Sequence, residues 1–96
     1  MSVRSSVNVV VVGQGYVGLP LAIETARAGH TATGLDLDPQ VVARLSSGIS
    51  HVDDISDAEL RAALGRGYRA SAETAALAEA DVIVICVPTP LSADGS

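Results

Sequence analysis

The chain has 96 residues, a hydrophobic fraction of 48%, a charged fraction of 18% and a formal net charge of −5. This length and composition predict one small globular domain and exclude a disordered chain. The acidic balance argues against nucleic acid as a partner, because phosphate neutralisation needs clustered basic residues and the six basic residues here are scattered arginines. A single Cys excludes an internal disulfide framework. The short apolar runs predict neither a membrane span nor a signal peptide, so we expect a cytoplasmic protein.

The first predicted strand and the turn after it are the most informative part of the sequence. Four consecutive valines within residues 7–12 predict a buried parallel strand, because they leave no polar face. The strand leads directly into Gly-Gln-Gly-Tyr-Val-Gly (13–18), and a helix is predicted from about Tyr16 to Ala28, ended by Gly29. This is the G-x-G-x-x-G pattern between a strand and a helix, the context in which it indicates dinucleotide binding.

Each glycine of this turn has its own expected role. Gly13 permits the tight turn, Gly15 lets a pyrophosphate approach the backbone, and Gly18 lets the helix pack closely on the strand. We expect Tyr16 and Val17 to contribute backbone N–H groups, which the helix dipole helps to bind phosphate. A tight turn without any nucleotide would use the same glycines, so the interpretation also depends on the next predicted strand.

That second strand is predicted over residues 31–36, and it ends at Asp36. A carboxylate there can accept hydrogen bonds from both ribose hydroxyls of a dinucleotide; the alternative is a surface strand end or a helix cap. No basic residue comes immediately after Asp36, which favours NAD over NADP. Asp-Pro (38–39) then predicts the N-cap and first residue of a second helix, which reaches about Leu45.

The second half of the chain predicts two more helices and two more strands. Ser56 with Glu59 is the capping-box pattern of a short third helix. The elements expected after it are the end of that helix near Gly65, a weak strand over 68–70, a fourth helix capped by Ser71 and running through Glu79, and an apolar strand over 82–87.

This alternation of strands and helices predicts an α/β fold. We expect a Rossmann-like parallel sheet with helices on both faces, right-handed crossovers and strand order 3-2-1-4. That is only the first half of a doubly wound fold plus one strand, and nothing after the apolar fourth strand could provide it with a neighbouring strand. We therefore expect either that residues 1–96 are the N-terminal part of an NAD-binding domain or that the chain needs partners to protect this edge.

Three segments together support a family resemblance. They are Gly-Gln-Gly-Tyr-Val-Gly-Leu-Pro-Leu-Ala (13–22), Gly-Leu-Asp-Leu-Asp-Pro (34–39) and Ile-Cys-Val-Pro-Thr-Pro-Leu (85–91). They resemble the nucleotide-sugar 6-dehydrogenases of the UDP-glucose/GDP-mannose dehydrogenase family. Residues 49–60 are more similar to the UDP-N-acetylhexosamine branch, since the UDP-glucose branch usually carries a Pro and a Glu-Pro-Gly there.

The resemblance implies an activity that needs more than this chain. Family members oxidise the C6 alcohol of a nucleotide sugar to a uronic acid with two NAD, through an aldehyde and a cysteine thioester. The resemblance also implies a UDP-sugar substrate, a role in polysaccharide biosynthesis and a homo-oligomer for the full-length protein. The family's catalytic Cys, Lys and Asn lie in later segments, so we expect no catalytic residue here and an inactive fragment. The family's equivalent of Thr89 contacts the cofactor, and Thr89 comes after the fourth predicted strand.

Three further residues invite functional roles that we do not assign. Cys86 lies in an apolar strand, where a free Cys is usually a small hydrophobic residue. His30 comes after the glycine that ends the first helix and is expected in a polar surface turn. His51 stands near several aspartates, but no second His or Cys completes a metal site, so we expect an acidic loop and no metal.

Other functions remain open from the sequence. The first alternative is a non-catalytic nucleotide-sensing Rossmann module, which shares the glycine turn and the acidic ribose ligand. The second is UDP-glucose 6-dehydrogenase within the same family. The third is another NAD enzyme of similar topology, such as a hydroxyacid dehydrogenase.

Overall fold

The structure is a computed structural model that describes residues 6–86, and its centre is a sheet of four parallel strands. The strands are β1 (Asn8–Val12), β2 (Thr31–Leu35), β3 (Tyr68–Ser71) and β4 (Val82–Ile85). Their order is β3-β2-β1-β4, which confirms the predicted order. β1 lies between two neighbours, since Val11 pairs with Gly34 of β2 and with Val84 of β4. The residues directly after β1 therefore emerge in the middle of the sheet's carboxyl edge.

Helical segments connect the strands on both faces of the sheet. They are α1 (Gly18–Arg27), α2 (Pro39–Ser46), α3 (Asp57–Leu64) and a 3₁₀ helix (Thr74–Glu79). α1 contacts α3, whereas the 3₁₀ helix contacts β1 and β2. The connections from β1 to β2 to β3 run in one direction and the connection to β4 runs back, so right-handed crossovers place the 3₁₀ helix on the face opposite α1. The predicted Rossmann-like architecture is confirmed.

Local capping signals set the helix ends much as predicted. The Asp38 carboxylate accepts from Gln40 N at 2.9 Å and caps α2. At α3, Ser56 Oγ accepts from Glu59 N at 3.1 Å and Glu59 Oε1 accepts from Ser56 N at 3.0 Å. These two hydrogen bonds with Ser56 hold the pKa of Glu59 below its usual value. Gly29 has a φ of +100°, the left-handed conformation expected of the residue after a helix.

The core forms between α1 and the central strands. α1 buries a stripe at helical spacing, consisting of Leu19, Ala22, Ile23 and Ala26. Val10 and Val11 of β1 are fully buried. Each large apolar side chain so removed from water contributes roughly 1.5–3 kcal/mol. The packing therefore holds α1, and with it the turn that precedes α1, in a fixed position on the sheet.

The prediction of a fourth α-helix capped by Ser71 is wrong. Ser71 is the last residue of β3, and its Oγ accepts from Glu73 N at 3.0 Å within a polar turn. The next helix is of the 3₁₀ type, begins at Thr74 and buries none of its residues. It contacts β1 and β2 but buries no side chain fully, and good helix propensity alone does not stabilise a short α-helix.

The apolar fourth strand is more exposed than its sequence suggested. β4 ends at Ile85, whose side chain is 69% exposed, and Val82 and Ile83 are also exposed. The predicted end of this strand at Val87 lies outside the described residues. No helix within residues 6–86 is long and apolar enough to cross a membrane.

Candidate cofactor site at the carboxyl edge of the sheet

The glycine turn occupies the middle of the carboxyl edge, between β1 and α1. Gly13 has a φ of +93°, which side chains rarely tolerate, so its predicted role in the tight turn is confirmed. Its N–H donates to the carbonyl oxygen of Leu35 at 2.7 Å. The turn is therefore tied directly to the end of β2.

Gly18 and Gly15 have contrasting surroundings. A Cβ on Gly18 would overlap the carbonyl oxygen of Gly13 and lie 2.9 Å from its carbonyl carbon, which confirms that Gly18 permits close packing of α1. A Cβ on Gly15 would meet no atom within 4 Å. Gly15 therefore faces open space, as a backbone segment must if a ligand is to approach it.

The turn presents amide groups at the start of α1. The N–H groups of Gly15, Tyr16 and Val17 donate to no backbone carbonyl of residues 6–86. Val17 occupies the N-cap position without a side-chain capping bond, and α1 begins at Gly18 rather than at Tyr16 as predicted. Unpaired amides and the positive end of a helix dipole together form an anion-binding arrangement.

Asp36 lies beside this turn, directly after β2. Its Oδ2 accepts from Gln14 N at 3.0 Å, and its Oδ1 accepts from Asp38 N at 3.0 Å. An ionised carboxylate has about four lone-pair positions, so one on each oxygen remains. The carboxylate is thus fixed in orientation by two backbone amides and still able to accept two further hydrogen bonds.

A cleft of about 230 Å³ opens along α2, and its lining includes Asp38, whose backbone N–H donates to Asp36 Oδ1. Its lining residues are Asp38, Gln40, Val41, Arg44 and His51. Arg44 was not anticipated here, because it lies in the second turn of α2 rather than immediately after Asp36. Two larger clefts, of about 280 and 330 Å³, lie between α1 and α3 and along β3, away from the glycine turn. Cleft size alone does not identify the site.

Three residues whose side chains or backbone meet at Gln14 were missed as a group by sequence reasoning. Gln14 is completely buried, Tyr68 donates its hydroxyl to Gln14 Oε1 at 2.8 Å, and His51 Nε2 lies 2.7 Å from the carbonyl oxygen of Gln14. The prediction for His51, an acidic loop, was therefore incomplete. A polar Gln between two glycines after a valine strand was the available signal, since such a side chain needs buried partners.

Of three other residues that the sequence singled out, two lie within the described part of the chain and the third falls outside it. Cys86 comes directly after β4, is half-buried and packs against the core, which confirms its interpretation as a small hydrophobic residue. His30 lies in the turn before β2, where its Nδ1 accepts from Val7 N at 3.2 Å. Thr89, a predicted cofactor contact, lies outside the described residues.

Comparison with known proteins agrees with this geometry. The NAD-binding domain of the UDP-glucose/GDP-mannose dehydrogenase family matches residues 7–96. UDP-N-acetyl-D-mannosamine dehydrogenase of Pyrococcus horikoshii is 35% identical over 89 residues, which are 91% of this chain and 21% of the relative. UDP-glucose 6-dehydrogenase of Bacillus subtilis is also 35% identical, over 91 residues, 92% of this chain and 21% of the relative.

The solved structures agree as well. The structure of UDP-D-ManNAc dehydrogenase from Pyrococcus horikoshii matches with a TM-score of 0.83 and 34% identity, over 92% of this chain and 22% of that one. The chain thus spans about a fifth of the length of the relatives it matches. With the family match extending over nearly all of its residues, the chain belongs to the UDP-glucose/GDP-mannose dehydrogenase family, in the NAD-binding domain of that family.

Proposed function

We propose that this chain is the N-terminal part of the NAD-binding domain of a nucleotide-sugar 6-dehydrogenase, and that it holds NAD at the carboxyl edge of its sheet. The observation that carries this proposal is the uncapped start of α1. Its preceding amides, from Gly15 to Val17, have no backbone partner in residues 6–86 and lie next to the fixed carboxylate of Asp36.

Each part of the edge fits a part of the cofactor. The amides of the glycine turn and the dipole of α1 would bind the pyrophosphate, for which the open space at Gly15 leaves room. The two remaining lone-pair positions of Asp36 match the two hydroxyls of the adenosine ribose. The negative charge of the same carboxylate disfavours a 2′-phosphate, so NAD is preferred over NADP. We retain Thr89 as a further cofactor contact.

The chemistry of the proposed reaction comes from the cofactor and from parts of the protein beyond these residues. Bound NAD supplies the hydride acceptor for the oxidation of the sugar. The residues of this chain bind the adenosine and pyrophosphate portions and orient them at the switch point between β1 and β4. We assign no catalytic residue to the chain. A UDP-sugar partner, a homo-oligomeric full-length protein and a cytoplasmic location belong to the same proposal.

We propose a UDP-N-acetylhexosamine as the sugar substrate. Overall identity does not decide this, because the N-acetylmannosamine enzyme of P. horikoshii and the glucose enzyme of B. subtilis are equally similar to the chain. The proposal is supported by residues 49–60, which resemble the N-acetylhexosamine branch and which lie beside the glycine turn through His51. UDP-glucose is the alternative, and NAD reduction by the full-length protein with each sugar nucleotide would distinguish them.

The direct test is calorimetric titration of NAD into the wild-type protein and into the Asp36→Asn variant. Asn cannot accept on both oxygens, so we expect roughly 10- to 100-fold weaker binding, the effect of losing one or two hydrogen bonds to a charged acceptor. Wild-type protein should also bind NADP more weakly than NAD. Equal NAD affinity in the two proteins would contradict the ribose assignment, and equal affinity for both cofactors would contradict the choice of NAD.

A further inference from the structure

We propose that His51, acting through the buried Gln14, is a positioning residue that aims the first phosphate-binding amide of the glycine turn. This inference rests on the proposed NAD site. The group involved lies beneath the turn and consists of Gln14, Tyr68 and His51, which come from three separate segments of the chain.

The backbone of Gln14 is held on both sides. Its N–H donates to Asp36 Oδ2 at 3.0 Å, and its carbonyl oxygen lies 2.7 Å from His51 Nε2. A carbonyl oxygen only accepts, so His51 Nε2 carries the proton and donates it. The Asp36 carboxylate therefore holds the peptide unit before Gln14, and the His51 imidazole holds the peptide unit after it.

The side-chain amide of Gln14 is also held in one orientation by hydrogen bonds. Its Nε2 donates to the carbonyl oxygens of Val11 at 3.1 Å and Gly13 at 3.0 Å, and its Oε1 accepts from the Tyr68 hydroxyl at 2.8 Å. Both amide donors and the amide oxygen of this fully buried side chain are thus satisfied. Rotating the side chain would leave buried polar groups without partners, which costs more free energy than a hydrogen bond contributes.

The neighbouring strand leaves room for this arrangement. A Cβ on Gly34 of β2 would overlap the amide group of Gln14 and would lie 2.8 Å from the Tyr68 hydroxyl oxygen. The glycine at this position in β2 thus permits the Gln14–Tyr68 pair to form beneath the turn.

The geometry of the peptide bond carries the effect of His51 to the ligand. The carbonyl of Gln14 and the N–H of Gly15 belong to one planar unit, and it is trans, since residues 6–86 contain no cis peptide bond. In a trans peptide the two groups point in opposite directions. When His51 holds the carbonyl on its own side, the Gly15 N–H is directed to the opposite side of the turn, where we propose that phosphate binds.

The experiment compares paired variants of the two histidines. His51→Leu removes the donor, whereas His51→Gln retains an N–H near the position of Nε2. His30→Leu is the matched control, because His30 also contacts one backbone group but lies at the opposite edge of the sheet. We expect NAD affinity to fall about tenfold in His51→Leu, the effect of one misdirected hydrogen bond to a charged group, and to stay within about threefold of wild type in the other two variants.

Two ligand fragments separate positioning from general stability. ADP contains the pyrophosphate and adenosine does not, so His51→Leu should weaken ADP and leave adenosine unchanged, as measured by ligand-observed NMR. A merely structural role would lower the melting temperature and leave the NAD affinity of the folded protein unchanged. That result, or equal losses for ADP and adenosine, would overturn the inference.

A second variant covers the case in which His51→Leu does not fold. Tyr68→Phe removes only the hydroxyl that holds Gln14 Oε1, and we expect it to weaken NAD and ADP by about threefold, because it loosens the same peptide unit less directly. Unchanged ADP affinity in folded Tyr68→Phe would count against the inference. If wild-type protein bound neither NAD nor ADP, the proposed function would fail, whereas normal wild-type binding with unaffected variants would refute the positioning role alone.

Discussion

The two edges of the sheet carry the same chemical groups in different arrangements. At the amino edge, Asn8 N donates to Asp81 Oδ2 at 2.8 Å, and the Nδ1 of His30 accepts from a backbone amide. At the carboxyl edge, Asp36 accepts from the amide of Gln14, and His51 donates to the carbonyl of the same residue. Each edge therefore has one aspartate and one histidine bound to the backbone next to β1.

The difference lies in the backbone that each pair supports. At the amino edge the bond is reciprocal, because Asp81 N also donates to the carbonyl of Asn8 at 2.7 Å. At the carboxyl edge the aspartate and histidine hold a glycine turn whose next amides have no backbone partner in residues 6–86. Side-chain chemistry alone therefore does not distinguish a binding edge from a closed edge. The distinguishing feature is a strand that ends where a helix begins.

The largest loss of stability and of NAD binding is expected from a substitution in the glycine turn of the carboxyl edge. In Gly18→Ala, the new Cβ would overlap the Gly13 carbonyl, so α1 must move away from the turn. We expect a loss of about 3 kcal/mol or more in the free energy of unfolding, as for other severe overpacking, measured by urea denaturation. NAD binding should disappear with it.

Gly15→Ala is the matched control for that substitution. Its Cβ would meet no neighbouring atom, so the free energy of unfolding should stay within about 1 kcal/mol of wild type. NAD affinity should nevertheless fall at least about tenfold, because a methyl group then occupies the space proposed for phosphate. A stable Gly15→Ala variant with unchanged affinity would show that the open space is not the phosphate site.

The same contrast between local and distant contacts explains how much of the molecule the sequence could predict. The strands, the helix caps at Asp38 and Ser56 and the roles of Gly13 and Gly18 depend on neighbours in sequence, and they were predicted correctly. His51 and Gln14 are 37 residues apart in sequence, so no local sequence pattern predicts their contact. The 3₁₀ helix was missed for a related reason, since its type depends on how deeply tertiary contacts bury its side chains, and none of them is fully buried.

A smaller effect is expected from the aspartate at the amino edge, Asp81. Asp81→Asn removes one acceptor at the amino edge, where the bond is exposed, and should lower the free energy of unfolding by about 1 kcal/mol. Its NAD affinity should equal that of wild type, in contrast to the large loss expected for Asp36→Asn. Calorimetric titration of both variants under the same conditions provides the check. Matching losses in the two variants would mean that the aspartates act on NAD only through the stability of the sheet.

The smallest effect is expected from the buried hydroxyl of Tyr68, through the pH dependence of stability. Burial, and to a lesser extent the charge of Asp36, raises the pKa of Tyr68 above its ordinary value of 10.0. The folded state therefore favours the neutral phenol, so its full stabilisation is present below pH 10 and is lost as pH rises further. At pH 10.5 we expect the free energy of unfolding to be about 0.8 kcal/mol lower than at pH 9. The chain contains no Lys, so few other groups titrate in this range.

Urea denaturation of Tyr68→Phe provides the control, because that variant should not show this decrease. An equal decrease in the variant would place the alkaline sensitivity elsewhere than in the buried group beneath the glycine turn.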